Sequence, residues 1–248
     1  MKTSTILLVF LVLGTSQVFP QPRIYGGELV IGRQFPGQIS VQYIQGHKCG
    51  GSIVNENYIV TAAHCVEYSL EDLSVLSGTN SLVNGGIRHN VTEIHVHEGY
   101  NVSDSWINDI AVLKVDPPFV FDNNTAAVAL PQQGQVTPEG SIGTLVGWGW
   151  TEDELPDDLR MVNVQVINYE ECNRQFEELN PTVYPEMICS STEGKKGSGS
   201  GDSGGPLYVN RQVVGISSWV TVSAMESFPD VLIRVSAYVD WINSKVRS

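Results

Sequence analysis

Charged side chains are scarce in this chain, and basic ones are the scarcest. Only 17% of the 248 residues are charged, and 14 Lys and Arg stand against 27 Asp and Glu, which gives a formal net charge of −13. A surface this acidic repels phosphate backbones and anionic lipid headgroups, so it argues against binding to nucleic acid or to membrane surfaces. The low charge and the 24 glycines also argue against a coiled coil or a disordered chain. The length suits one large domain or two small ones.

Long apolar runs are equally rare, and the clearest one lies near the N-terminus. Residues 6–13 are apolar, follow a lysine and precede small residues. This run is too short to cross the ~30 Å hydrocarbon core of a bilayer. We therefore predict a cleaved secretory signal over residues 1–16 and a secreted, extracellular protein without a membrane anchor. Residues 17–23 contain two prolines and end in Arg23, which is typical of a short activation pro-segment.

Cysteine is rare too, but its number is even. The four cysteines are Cys49, Cys65, Cys172 and Cys189. In a secreted chain an even number indicates disulfides, and the absence of a C-x-x-C spacing argues against zinc. Three pairings are open, and the simplest closes two local loops, the first cysteine with the second and the third with the fourth. Three N-glycosylation sequons agree with secretion. They begin at Asn90, Asn101 and Asn123.

The pattern of apolar residues after the pro-segment predicts an all-β protein. Residues 38–43 alternate, with Ile39, Val41 and Tyr43 on one face, as in a half-buried strand. Further short apolar runs, separated by Gly, Asn, Pro and Asp, lie at residues 58–63, 110–115, 143–148, 161–167, 206–209 and 213–219. Many short strands with turns between them predict a sandwich or a barrel.

Two helices are predicted as well. Apolar residues recur at a spacing of three to four over 235–246, and Ser236 near the start is expected to cap that helix. A weaker helical pattern covers 169–179.

One short segment has the composition of a nucleophile turn. Glycines surround a single hydroxyl in Gly201-Asp202-Ser203-Gly204-Gly205-Pro206. Such a turn can direct backbone N–H groups at an oxygen beside that hydroxyl, which an acyl-transfer nucleophile requires. The segment also fits the G-x-S-x-G motif of α/β-hydrolases, but in that fold the base histidine follows the serine. Here all five histidines precede Ser203, which argues against that fold.

The best candidates for a base and its orienting acid are His64 and Asp109. His64 lies in Thr61-Ala62-Ala63-His64-Cys65, a small-residue segment that a disulfide would hold rigid, and proton transfer needs a rigidly placed base. Asp109 begins an apolar run, and a buried carboxylate there needs a partner. A histidine N–H would satisfy it and fix the imidazole tautomer.

The other four histidines carry no predicted chemistry. His95 and His97 form an H-x-H pattern without a carboxylate or cysteine at ligand spacing, so we predict surface strand residues rather than a metal site. His47 and His89 are predicted to lie in loops.

Taken together, these segments closely resemble the trypsin/chymotrypsin-like serine proteases over about residues 24–248. The matching motifs are Ile24-Tyr25-Gly26-Gly27, Thr61-Ala62-Ala63-His64-Cys65, Asp109-Ile110-Ala111-Val112-Leu113, Gly147-Trp148-Gly149, Gly201-Asp202-Ser203-Gly204-Gly205-Pro206 and Ser217-Ser218-Trp219. The resemblance implies two six-stranded antiparallel β-barrels, about 24–130 and 131–248, with the site between them and a C-terminal helix. It also implies two disulfides that the family shares, Cys49–Cys65 and Cys172–Cys189.

The resemblance implies a role for each motif residue. Ser203 would be the nucleophile, His64 the general base and Asp109 its orienter, as in the family's triad. The N–H groups of Gly201 and Ser203 would form the oxyanion hole. Cleavage between Arg23 and Ile24 would create an α-amino group that inserts and pairs with buried Asp202, switching the site on.

The specificity pocket departs from the family's trypsin pattern. By resemblance, its residues are Gly197, Ser198, Ser218, Trp219, Val220 and Asp230. Trypsins carry an Asp where Gly197 stands, whereas Asp230 here replaces a common glycine on the opposite wall, and Val220 would narrow the entrance. A third disulfide of many relatives is missing, because its positions are Gly199 and Ser223.

These features lead to a secreted serine endopeptidase made as a zymogen, with chymotrypsin-like or broad specificity. The alternatives are trypsin-like cleavage after Lys or Arg through Asp230, and an inactive homologue that only binds partners. Residues 84–86 lack the carboxylates of the family's calcium loop, so we expect no metal, and no cofactor. The expected partners are protein or peptide substrates, an activating trypsin-like protease and protein protease inhibitors, and the chain is expected to be a monomer.

Overall fold

The computed structural model describes residues 27–150, 155–177, 181–191, 196–219 and 228–246. Of the sequence predictions, the signal, the pro-segment, the Arg23–Ile24 bond and Val220 lie outside the described residues. Within the described ranges, no helix has the length and apolar character needed to cross a membrane.

Six antiparallel strands form the first barrel. They are β2 Gln38–Tyr43, β3 Gly46–Ile53, β4 Tyr58–Thr61, β5 Leu73–Ser77, β6 Ile87–Val96 and β7 Ala111–Asp116. They pair in the closed order β2-β3-β4-β7-β6-β5. Closure leaves none of these six described strands with a free edge.

The second barrel has six strands as well. They are β8 Ile142–Gly147, β9 Arg160–Ile167, β10 Met187–Ser190, β11 Pro206–Val209, β12 Gln212–Trp219 and β13 Asp230–Arg234. Pairing runs β9-β10-β13-β12-β11-β8, and β8 pairs with β9 to close the circle. The short strand β1, Glu28–Leu29, adds to the outside of β9. The predicted fold of two six-stranded antiparallel barrels is confirmed.

Buried aliphatic side chains explain why the strands close. Ile39, Val41 and Ile59 of the first barrel and Leu207 and Leu232 of the second are each fully buried. β2 departs from simple alternation, because its polar residues are buried together with the apolar ones. Its polar face is therefore covered by neighbouring structure rather than by water.

Two short α-helices complete the fold. α1 spans Tyr169–Phe176 and is capped by the Asn168 side chain, which accepts hydrogen bonds from the amides of the first turn. The C-terminal segment begins with a 3-10 turn, Val235–Ala237, and continues as α2, Val239–Lys245. The prediction that Ser236 caps this helix is wrong. Ser236 is buried within the 3-10 turn, where its hydroxyl accepts from Arg234 at 3.0 Å.

Candidate active site

Local packing places His64 at the end of β4. The 3-10 turn Ala63–Val66 carries it, and its buried alanine neighbours let that turn pack closely on the barrel. The structure joins Cys49 of β3 to Cys65, the residue after His64, in a disulfide. The backbone on both sides of the imidazole is therefore fixed.

The carboxylate of Asp109 is fully buried immediately before β7. Its Oδ2 lies 2.7 Å from His64 Nδ1, and its Oδ1 accepts from the His64 backbone N–H at 2.9 Å. The Ser218 hydroxyl of β12 donates to the same Oδ2 at 2.6 Å. Because a carboxylate only accepts, Nδ1 of His64 carries the proton and Nε2 is left as the acceptor.

The turn with Ser203 lies between the two barrels. Gly50 N of β3 donates to the Ser203 carbonyl at 2.8 Å, and Gly204 N donates to Ser217 O of β12 at 2.7 Å. At Gly204 φ is +76°, and an added Cβ would collide with Thr61 Oγ1, three residues before His64. Only glycine allows this approach, which brings the serine turn against the histidine segment.

No hydrogen bond joins the His64 imidazole to the Ser203 hydroxyl among the described residues. Among the described residues, His64 Nε2 lies 3.7 Å from Cys65 Sγ. In enzymes without a bound substrate such catalytic contacts are often long. The structure thus brings the serine turn to the histidine but does not join the two side chains.

The backbone at Gly201 and Ser203 presents N–H groups without partners. Within the described ranges, neither N–H donates a hydrogen bond, whereas the intervening Asp202 N–H donates to Gly199 O at 3.0 Å. The Gly201 carbonyl points away and accepts from His47 Nε2 at 3.0 Å. Two free N–H groups flanking one hydroxyl can receive an oxygen that carries developing negative charge.

His47 contacts the candidate site but was not predicted from the sequence to do so. It was predicted to lie in a loop, but it lies in strand β3, where Ser40 Oγ is 2.8 Å from its Nδ1. Burial lowers the pKa of His47 to about 4, with a smaller opposing effect of the Gly201 carbonyl. The imidazole is therefore neutral at pH 7 and donates from Nε2. One feature of the sequence points to it: His47 lies two residues before Cys49, a disulfide cysteine in the same strand.

His89 was also predicted to lie in a loop, and that prediction is wrong as well. It lies buried in β6, with Nε2 2.9 Å from Ser77 Oγ and Nδ1 2.5 Å from the Pro117 carbonyl. Because both ring nitrogens have partners inside the first barrel, His89 is a structural residue. His95 lies in β6 and His97 directly follows it.

Asp202 is a buried carboxylate held by backbone amides. Gly149 N donates to its Oδ1 at 2.8 Å and Gly199 N to its Oδ2 at 2.7 Å. The Gly147-Trp148-Gly149 motif serves this contact, because an added Cβ at Gly149 would collide with the carboxylate. Burial raises the pKa of Asp202 to about 6, against the lowering effect of the two amides. No cation within the described residues faces it.

One of the predicted specificity residues, Asp230, is a second buried carboxylate. Gly197, Ser198 and Asp230 are all buried, and Ser198 N donates to Asp230 Oδ2 at 2.6 Å. Burial raises the pKa of Asp230 to about 7, and the charge of Asp202 adds to that rise, against the lowering effect of Ser198. Adjacent amides of one segment, those of Ser198 and Gly199, therefore each bind a buried acid.

An aromatic cluster packs around Trp219 of β12, which lies opposite Val231, the residue after Asp230. Trp219 is 7% exposed and meets Phe176 edge-on at 5.0 Å and Trp106 at 6.2 Å. Phe176 also packs on Phe228, with ring centroids 5.3 Å apart. The cluster therefore packs near the start of β13, where Asp230 lies.

The remaining sequence predictions concern bonds and modifications. The second disulfide joins Cys172 of α1 to Cys189 of β10. In the described part of the chain, the one cluster with metal-ligand spacing is Cys49, His64 and Cys65, and its two sulfurs are bonded to each other. The sequon asparagines are all exposed. They are Asn90, Asn101 and Asn123.

Substitution of Asp230 is expected to change how stability depends on pH. Asp230 keeps its proton to about pH 7 when folded but loses it near pH 4 when unfolded. Stability from this group is therefore present at low pH and is lost as pH rises through about 7. We expect Asp230→Asn, which cannot ionise, to raise Tm relative to wild type more at about pH 8.5 than at about pH 5.

The control for this measurement is Asp240→Asn on the exposed surface of α2. We expect its difference in Tm from wild type to change little between the two pH values. A Tm gain for Asp230→Asn that is equal at both pH values would contradict a buried, weakly acidic Asp230.

Comparison with known proteins gives the same family from three directions. The family model Trypsin matches residues 24–242. Hypodermin-A of Hypoderma lineatum is 37% identical across 91% of this chain and 88% of its own. The vitellin-degrading protease of Bombyx mori is 32% identical across 98% and 95%, respectively. Trypsin delta of Drosophila melanogaster is 34% identical across 90% and 88%.

A solved structure shares the whole architecture. The crystal structure of the scabies mite inactivated protease paralogue S-D1 superposes with a TM-score of 0.83 at 26% identity, covering 90% of this chain and 97% of the other. With the family model spanning both barrels, the chain belongs to the trypsin family of serine-type endopeptidases.

Proposed function

We propose that this protein is a secreted peptidase, made as a zymogen, that cleaves peptide bonds through Ser203, His64 and Asp109. The observation that carries the proposal is the buried Asp109 carboxylate, which holds His64 Nδ1 at 2.7 Å and leaves Nε2 to accept a proton. The turn of Ser203 lies against the segment that carries His64. A nucleophile, a base and an orienting acid are the three parts that acyl transfer needs.

The chemistry runs in two halves. Ser203 Oγ attacks the carbonyl carbon while His64 Nε2 takes its proton, and the resulting oxyanion accepts hydrogen bonds from the free N–H groups of Gly201 and Ser203. Collapse breaks the C–N bond, His64 returns the proton to the leaving amine, and an ester on Ser203 remains. Water then attacks that ester with His64 again taking a proton, which releases the carboxylic acid and restores the serine. Losing one oxyanion donor costs about 3 kcal/mol in such sites.

The environment of Asp202 supports the proposal of activation by cleavage after Arg23. A buried carboxylate without a cation is costly, and Asp202 has only backbone amides as partners among the described residues. The α-amino group that cleavage would create at Ile24 is the cation that Asp202 lacks. Binding it would hold the segment from Gly199 to Ser203 in one arrangement.

The competing candidate is an inactive homologue that acts by binding. It is worth testing because the superposed scabies mite protein is described as an inactivated protease paralogue. Against it, this chain keeps the serine, histidine and aspartate and the free N–H groups beside them.

We propose that the protein is a monomer. Its proposed partners are protein substrates, protein protease inhibitors and an activating trypsin-like protease.

Labelling with a fluorophosphonate separates the two candidates. After treatment with trypsin, the wild-type chain should be labelled at Ser203, because the probe reacts with an activated serine. Ser203→Ala should fold with unchanged Tm and take no label, and Arg23→Gln should take none because it cannot be cleaved. A cleaved, folded wild type that takes no label would establish the binding protein, and strong labelling of Arg23→Gln would contradict the zymogen.

We propose chymotrypsin-like or broad specificity rather than cleavage after Lys or Arg. The Asp230 carboxylate is already bound by Ser198 N at 2.6 Å, and an acid off the pocket floor is poorly placed for a long cation. Gly197 has no side chain to fill the floor of the proposed pocket. Two observations favour the alternative, cleavage after Lys or Arg. A desolvated carboxylate attracts a cationic side chain strongly, and several related chains are named trypsin.

A matched panel of peptide substrates decides between these preferences. We expect kcat/KM for Phe or Leu before the scissile bond to equal or exceed that for Arg, with Ala lower because it buries less apolar surface. The control is Asp230→Gly, which should change the Arg substrate little. An Arg preference of about a hundredfold, some 2.7 kcal/mol, that disappears in Asp230→Gly would establish the trypsin-like alternative.

A further inference from the structure

Asn108, the residue before Asp109, has an unusual backbone conformation. Its φ is +57°, in the left-handed region that few residues other than glycine enter and that asparagine tolerates best among them. The carboxamide is bound at both ends. Nδ2 donates to the Gly99 carbonyl at 2.8 Å, and Oδ1 accepts from the Tyr238 hydroxyl at 2.8 Å. The side chain therefore holds the backbone turn from which Asp109 emerges.

Tyr238 is itself rigidly placed. It lies between the C-terminal 3-10 turn and α2 and is 4% exposed. His97 packs against its ring edge-on at 5.4 Å, and its carbonyl accepts from Ile242 N at 2.8 Å, which starts the helix. Its hydroxyl thus occupies a defined point in space, on the C-terminal side of the molecule.

Two side chains from the C-terminal half of the chain bind Asn108 and Asp109, which directly precede β7 of the first barrel. One belongs to a strand of the second barrel, and the other follows its last strand. Tyr238 binds Asn108, and Ser218 of β12 binds the adjacent Asp109 carboxylate at 2.6 Å. On the other side, Ile110 N donates to the Asn108 carbonyl at 2.7 Å, directly before β7. A rotation at Asn108 would therefore swing the Asp109 carboxylate away from His64, because β7 fixes the chain beyond it.

We propose that Asn108 and Tyr238 are positioning residues that aim the Asp109 carboxylate at His64. The C-terminal helix thereby sets the geometry of the site through one hydroxyl. The proposal rests on the proposed peptidase function, in which His64 needs that carboxylate to keep Nε2 free. Within the described residues, neither side chain hydrogen-bonds to a predicted pocket residue, so we expect them to act on the chemical step and not on substrate binding.

The first test compares two tyrosines that bind the same loop. Tyr238→Phe removes the hydroxyl that binds Asn108. The matched control, Tyr184→Phe, removes a hydroxyl that donates at 2.6 Å to Asp104, four residues earlier in that loop. We expect Tyr238→Phe to lower kcat about three- to tenfold, the usual worth of one net hydrogen bond, with KM unchanged. Tyr184→Phe should change kcat less than twofold.

The second test separates backbone conformation from general damage. Asn108→Gly loses the side-chain hydrogen bonds but still accepts a positive φ, whereas Asn108→Ala loses both. We expect kcat to fall in both variants and to be at least threefold higher in Asn108→Gly than in Asn108→Ala, with KM near wild type. A residue that mattered only for folding would give variants whose kcat per folded, probe-labelled site is unchanged.

The outcomes are distinct. Equal kcat effects of Tyr238→Phe and Tyr184→Phe, or an Asn108→Gly variant no faster than Asn108→Ala, would overturn the positioning role while wild-type turnover remains. A rise in KM without a fall in kcat would overturn it too. Absence of turnover in the activated wild type would instead refute the proposed peptidase function.

Discussion

The buried carboxylate of Asp109 is the constraint on which the rest of the site depends. An uncompensated charge in a barrel interior is strongly unfavourable, so the fold must bring donors to it from several directions. It does so with the His64 imidazole and backbone N–H and with the Ser218 hydroxyl. The same contacts that satisfy the charge also fix the tautomer of His64. The hydrogen bonds that stabilise the buried carboxylate are therefore the same ones that orient the imidazole.

The site lies at the junction of two closed barrels because its parts come from both. Strand β4 of the first barrel leads to His64 and strand β7 follows Asp109, whereas the Ser203 turn precedes β11 of the second. The turn can approach only because Gly204 has no side chain to strike Thr61. A neutral, half-buried His47 of the first barrel then donates to the Gly201 carbonyl, which ties the serine turn to strand β3. Each barrel therefore supplies only part of the candidate site.

The parts of this arrangement with strong local patterns could be predicted from the sequence. Polar and apolar residue types alternate in the sequence of residues 38–43, although both kinds are buried, and the β11 segment is a short apolar run after glycines. Both strands were therefore predicted with correct bounds. The barrel architecture came from the family resemblance, and the two disulfide pairings that the structure shows agree with it.

The parts that depend on tertiary contact could not be predicted. His47 was assigned to a loop because its strand, β3, contains three glycines and little apolar alternation. Its hydrogen-bond partners are Ser40, in the preceding strand, and Gly201, which is far away in the sequence. Ser236 resembles a helix cap locally, but the helix begins later and Arg234 binds its hydroxyl. The role of Asn108 is likewise invisible until Tyr238 is brought to it across the molecule.

The most direct measurement of this account is the turnover of Asp109→Asn after activation. An amide at this position would donate to the imidazole and hold it in the reversed tautomer, with the proton on Nε2 and no acceptor for Ser203. The account predicts a fall in kcat of about 10⁴-fold, with an unchanged fold and an unchanged KM. A variant that retains kcat within tenfold of the wild type would contradict the claim that the buried carboxylate prepares His64 for catalysis.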